Sequence, residues 1–238
     1  MKCYYGTMRR LVVASLLALG AGACDKIISS DVATIAFDLP PRHYTFNASM
    51  AGVPSALAQE VPCGAPPVMD CCNPTPPLPA PDCSANPITC EQNENGTNVC
   101  MAQATISQSQ MMNLGMEVSQ LSGLTGVVTI SIKRIGYQVN SNTLDVDLPD
   151  VSLYLAPAGV TDASDPNAQK FGTMPAISAG STPTGDVVLE PNAKQVLASF
   201  TSNLQSPFNF IATTTLKVSH APTGAIDMTI TGQLSASP

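Results

Sequence analysis

The sequence predicts an all-β protein: an antiparallel two-sheet sandwich of immunoglobulin-like type, with one short helix and a disulfide-rich, Pro-rich loop insertion. Three observations predict it. Apolar residues return at every second position in stretch after stretch, the period of a strand with one buried face. Only 11% of residues are charged and Trp is absent, while Gly and Pro number 16 and 21, a composition of strands and turns rather than long helices. Six cysteines, Cys63, Cys71, Cys72, Cys83, Cys90 and Cys100, crowd one segment, and nine of the prolines fall between Val61 and Ile88.

The chain opens with Lys2, Arg9 and Arg10 ahead of an apolar run, Leu11 to Leu19, and closes that run with Ala21-Gly22-Ala23-Cys24. A basic segment, a short apolar core and small residues before a cleavage point form the layout of an export signal. The run falls short of the roughly 20 apolar residues a membrane span needs. These residues resemble the lipobox of bacterial lipoproteins. The resemblance implies cleavage before Cys24, a diacylglyceryl thioether on its sulfur and acylation of the freed amino group, although Ala21 stands where that family more often has Leu or Val. Two or more acyl chains anchor stably where one holds only marginally. The expected organisation is a signal over 1–23, a lipidated tether over 24–30 and one β-sandwich domain over 31–238, interrupted by a Cys- and Pro-rich insertion at 49–100. The localisation that follows is the cell envelope, on a membrane facing the periplasm or the cell surface.

The strands follow in order. Ile35, Phe37 and Leu39 share a face until Pro40-Pro41 stops the ladder, and Tyr44 and Phe46 restart it as a sheet-edge or sheet-switching strand. Between Val61 and Ile88 the prolines forbid both helix and ladder, so cross-links must hold a segment with no core of its own. Cys100, Ala102, Ala104 and Ile106 alternate with polar residues. Met112 to Leu121 fits strand or helix, and strand is the reading taken. Val128, Ile130 and Ile132 are one residue out of phase with Ile135, Tyr137 and Val139, which a β-bulge at Lys133-Arg134 corrects. Asn140 to Asn142 read as a turn. Leu144, Val146 and Leu148 form a strand that bends at Pro149 towards Val151, Leu153 and Leu155, passing between sheets. Residues 158–183 read as loop, and Val187 to Leu189 as a short strand. Pro191 is placed at the first position of the helix, whose buried stripe is Ala193, Val196, Leu197, Phe200 and Leu204, with Pro207 ending it. Phe208 to Val218 and Ile226 to Leu234 read as a C-terminal hairpin.

Chemistry is sparse. Formal charge is −7 for the whole chain and −10 beyond Cys24 once the three signal cations are gone, which argues against nucleic acid, where Lys and Arg neutralise phosphates. It argues equally against a polybasic membrane patch. An even set of six cysteines in an exported chain reads as a disulfide framework with 15 possible pairings. Zinc is the weaker reading, since no His lies in the segment and no C-x-x-C spacing occurs. The two histidines, His43 and His220, have no G-x-S-x-G elbow to serve, and no catalytic residue is assigned. Asp162, Asp165 and Asn167 are weak calcium candidates in a turn-rich loop. Asp145, Asp147 and Asp150, which flank the bend at Pro149, are a second set of possible calcium ligands and the carboxylates considered for hydrolysis of an envelope polymer, which needs two that converge. Met111, Met112 and Met116 are read as core. No cofactor is implied.

From its overall pattern the chain beyond Cys24 resembles the uncharacterised β-sandwich lipoproteins of Gram-negative bacteria, a likeness that carries no site residues. The expected function is therefore a lipid-anchored, non-catalytic envelope protein with a structural, adhesive or partner-binding role, its partner an envelope protein or glycan. The alternative is a carrier holding lipid or glycan in an apolar groove between the sheets or under the 191–204 helix.

Overall fold

Period-2 patterning becomes two antiparallel sheets in the computed structural model, which describes residues 34–53, 57–64, 71, 88–93, 95–121 and 129–237. The first sheet holds β1 (Ile35–Asp38), β2 (Arg42–Asn47), β5 (Thr129–Asn142), β8 (Thr184–Asp186) and β11 (Ala225–Ser237). Its order is β1-β11-β5-β8, with β2 continuing the β1 edge along the other half of β11. The second sheet holds β3 (Ile88–Gln92), β4 (Asn98–Met112), β6 (Val151–Pro157), β7 (Gln169–Met174), β9 (Val188–Leu189) and β10 (Phe208–Val218), in the order β3-β4-β10-β6-β7-β9. Inward residues of both sheets, among them Phe37, Tyr44, Ile135, Leu153, Phe210, Leu216, Ile226 and Leu234, form one continuous core. The expected all-β sandwich is the observed fold.

The bulge read from the sequence is present. Arg134 pairs with Gln233 and Ile132 with Leu234, which leaves Lys133 as the extra residue. Both Lys133 and Arg134 face solvent, so Ile132 and Ile135 both turn inward despite the odd spacing. Deleting Lys133 leaves Ile132, Arg134 and Ile135 in plain alternation. It should cost about 1 kcal/mol or less, in the range of ordinary surface changes. Deleting Ser131 instead turns Ile130 out of the core and should cost roughly 1.5–3 kcal/mol. Urea midpoints of the two deletion variants check the contrast.

Several expectations are corrected. Asn140 to Asn142 are not a turn: β5 runs through them, with Asn140 as a second extra residue between the Asp227–Ser141 and Met228–Val139 pairs. Leu144 to Leu148 make only one bridge, Leu148 to Ile177. The chain does cross between sheets there, since β5 and β6 belong to different ones. Asn113 accepts a hydrogen bond from Met116 N–H and starts a single helical turn, α1 (Leu114–Glu117), followed by a 3-10 turn at Ser119–Leu121, so this segment is not a strand. Residues 158–183 contain β7, whose Phe171 and Met174 are buried. The second helix, α2 (Ala193–Thr201), starts two residues after Pro191 and ends before Pro207. It buries Ala193, Val196 and Leu197 as expected, with Phe200 and Leu204 only partly covered.

The C-terminal pair is the largest correction. β10 pairs with β4 and β6, while β11 pairs with β1, β2 and β5. The two strands face each other across the core instead of forming a hairpin. Gly224, at φ +87°, permits the connection: a Cβ there would lie 2.0 Å from the Thr143 carbonyl oxygen.

One side of the sandwich is closed by side chains. Gln108 and Gln110 of β4 donate through Nε2 to the Thr45 and His43 carbonyls of β2. Carbonyls that would otherwise offer a free edge to another strand are thereby occupied.

Candidate functional site

The two ends of β11 define the ends of the molecule. Its last residues pair with β1, where Ile35 lies opposite Ala236, so the chain entering from residue 34 arrives at that end. Its first residue, Ala225, lies opposite Asn47, beside the loop that carries the cysteines. There Ala221 N–H donates to Leu57 O, and Ser219 Oγ donates to Glu60. Thirteen strand residues separate the two ends by roughly 40 Å at about 3.3 Å each.

The cysteine lobe at the far end is cross-linked, as its cysteine content led us to expect. Cys63 bonds Cys90, and Cys71 bonds Cys100. Cys72 and Cys83 lie outside the described residues, as does Cys24. Residues 61–63 lie against β4 through Cys63 N–H to Asn98 O and Cys100 N–H to Val61 O. Leu57, Val61, Cys63 and Cys71 are buried with the main core. The lobe is thus sewn to the sandwich as well as to itself.

A second feature is a polar cleft of about 420 Å³ on the outer face of the first sheet, lined by Asp38, Pro41, Arg134, Gln138, Thr184, Thr231 and Gln233. Its rim carries the Arg134–Asp186 ion pair. Beside it runs a connected network. Asn140 Nδ2 donates to Asp227 and to Thr229 Oγ1, Thr45 Oγ1 donates to Asp227, and His43 Nδ1 sits 3.1 Å from Thr229 Oγ1. His43 therefore belongs to a surface lattice of hydroxyls and amides, a pattern no linear motif announces because the residues come from three strands.

The acidic residues singled out in the sequence hold loops in place. Asp145 accepts from Thr223 N–H and Oγ1, Asp147 from Ala179 N–H, and Asp150 from Ala176 N–H. Partial burial opposes the charge on Asp145, but the two Thr223 hydrogen bonds and the nearby His220 outweigh it and hold the carboxyl below its usual range. The Ser164 hydrogen bonds likewise lower Asp162, and Asp165 accepts from Asn167 N–H and Nδ2. These are local Asx turns. Of the calcium candidates, Asp162 and Asp165 thus spend carboxylate oxygens on their own loop, and Asn167 donates to Asp165. Among the described residues the only grouping of metal-ligand side chains is Cys63, Cys71 and Cys100, whose sulfurs already sit in disulfides.

Between the sheets lie two small voids. One of about 30 Å³ is walled by apolar side chains from both sheets and by Leu197 of α2, and one of about 40 Å³ lies near Phe46 and Leu148. Each is about a tenth of the roughly 300 Å³ at which ligand pockets begin. Tyr44 Oη and Arg42 Nε are buried without a hydrogen-bond partner among the described residues, and burial pushes the Tyr44 phenol far above its usual range. Arg42 keeps its charge paired with Glu117. Met112 is core, as expected, but Met111 and Met116 are 62% and 80% exposed. Met111 faces out by alternation within β4, and Met116 lies on the outer side of α1.

Comparison with known proteins adds no identity. No family model matches the chain, and no curated protein matches it. Among solved structures, a chain of Desmodium yellow mottle tymovirus is similar at 13% identity and a TM-score of 0.26, covering 68% of this chain and 91% of its own. A chain of turnip yellow mosaic virus gives 16% identity and a TM-score of 0.25, covering 58% and 93%. A chain of infectious bursal disease virus, Gx strain, gives 11% and 0.20, covering 84% and 32%. At such scores no function passes from them to this protein.

Proposed function

We propose that this protein is a lipid-anchored cell-envelope protein that acts without catalysis, holding a disulfide-bonded lobe away from the membrane for structural, adhesive or partner-binding contact. The anchor is Cys24, in its lipobox-like setting. The observation that carries the reading is the opposition of the two ends. The chain coming from Cys24 joins the sandwich beside Ala236, and the cross-linked lobe lies at the other end of β11. An anchored molecule of this build presents its lobe outward. Asp145, Asp147 and Asp150, the carboxylates weighed for hydrolysis, each hold a loop by accepting backbone hydrogen bonds. Voids of about 30 and 40 Å³ lend nothing to the carrier alternative, since ligand pockets run from roughly 300 Å³.

The test is Cys24→Ser in the native host. Wild-type protein is expected to take up a fatty-acid probe and sediment with membranes, while the variant does neither and appears in the soluble envelope fraction. An unlabelled, soluble wild type would overturn the proposal. Protease added to intact cells then reports whether the lobe faces the outside, by cleavage between residues 57 and 97.

A further inference from the structure

The two disulfides differ in access. Cys90 is exposed, while Cys63, Cys71 and Cys100 are 6%, 5% and 0% exposed. Of the four bonded cysteines, Cys90 is thus the one open to approach by an external thiol, and both residues of the Cys71–Cys100 bridge are covered. Yet the sulfurs of Cys63, Cys71 and Cys100 all lie within 4.8 Å of one another. Their backbones are fixed in that arrangement by the 61–63 segment pairing with 98–100 on one side, and by Cys90 standing opposite Cys100 in β3–β4 on the other.

We infer that Cys90 is a site of thiol attack whose effect is passed to the buried bridge, so that the four cysteines form an exchange relay and not two independent staples. The class of co-reactant is a low-molecular-weight thiol. Its thiolate attacks Cys90 Sγ, forming a mixed disulfide there and releasing Cys63 as a thiolate. Cys63 attacks the adjacent Cys71–Cys100 bond, forming a new bridge to one of those sulfurs and releasing the other as a thiolate. One disulfide is consumed in each step and one is formed, so oxidation state is conserved throughout. Exchange of this kind proceeds by attack of a thiolate on a disulfide sulfur, at a rate set by access and by the pKa values of the attacking and leaving thiols, and here the Cys63, Cys71 and Cys100 sulfurs lie in one buried cluster. The exposed end of the lobe thus exchanges thiols with the envelope while its interior keeps a cross-link.

The relay predicts an outcome that independent bridges do not. In the full chain carrying Cys71→Ser, the thiol left at Cys100 should attack Cys63 and expel Cys90 into solvent. Alkylation of the folded protein at mildly alkaline pH, quenched with acid and mapped by mass spectrometry, should then place several-fold more label on Cys90 than on Cys100, with Cys63 and Cys100 linked. A label-free Cys90 with Cys100 still reduced, or with Cys100 joined to Cys72, would overturn the inference. Wild-type protein treated with glutathione provides the second measurement. Glutathione on Cys90 together with Cys63 linked to Cys71 or Cys100 supports the relay. Opening of Cys63–Cys90 with Cys71–Cys100 intact refutes it. Neither measurement depends on Cys24.

Discussion

Replacing Phe210 by alanine is expected to lower the free energy of unfolding by about 3–5 kcal/mol, the range for truncating a buried aromatic residue. Phe210 is 6% exposed, meets the Phe171 ring edge-on at 5.3 Å and lies 6.0 Å from Tyr44. It therefore joins strands of both sheets at one point. It also lines the apolar void of about 30 Å³ with Met112, Leu155 and Leu234. Truncation merges the lost ring with that void, and neighbours anchored in two hydrogen-bonded sheets cannot collapse far to fill it. The cost should thus fall in the upper half of the range, a large fraction of the roughly 5–15 kcal/mol that holds a domain together. Guanidinium unfolding reads it as a lower midpoint at unchanged slope. Phe200→Ala, at the half-covered rim of α2, should lose clearly less. Equal losses at the two sites would show that burial of the ring between the sheets does not set the effect.

What could be read from the sequence was whatever depends on neighbours along the chain. Alternation exposed β1, β2, β4, β5, β10 and β11, because a side chain's face in a strand is fixed by its parity. The Lys133 bulge was legible for the same reason, as a change of parity inside one apolar run. Pairing was not legible. Phe208 to Val218 and Ala225 to Ser237 are adjacent, amphipathic and separated by Pro222 and Gly224, which fits a hairpin as well as an arch between sheets. The choice is made by β4 and β6, which already occupy both edges of β10. β7 was hidden because Gly172 and Pro175 punctuate a strand whose burial comes from β6 and α2. The polar cleft was hidden because its residues converge from β1, β5, β8 and β11. The aspartates were found, but their partners, Thr223, Ala179 and Ala176, are far enough away in sequence that no spacing rule joins them.

Removing the buried bridge with Cys71→Ala and Cys100→Ala is expected to cost about 3–4 kcal/mol. The bonded residues are 29 apart, and those of the outer bridge 27. For loops of that size the chain-entropy estimate falls between roughly 3 kcal/mol for 15 residues and 4.7 for 100. The outer pair, Cys63→Ala with Cys90→Ala, should cost about the same by entropy and less by packing, since Cys90 faces solvent and Cys100 is wholly buried. The two loops interlock: once one bridge is closed, the other closes a shorter path. Each pair removed alone gives up only that shorter closure, so all four substitutions together should lose somewhat more than the sum of the two pairs, enough to approach the whole stability of a marginal domain. The lobe should yield first, because its prolines leave the cross-links and a few buried residues such as Leu57 and Val61 to order it. Limited proteolysis of the four-alanine variant should cut between residues 57 and 97 under conditions where the strands of the sandwich still resist. If the sandwich and the lobe are instead cleaved together, the shared core through Cys63, Cys71 and Cys100 couples them into one cooperative unit, and the bridges secure the whole fold.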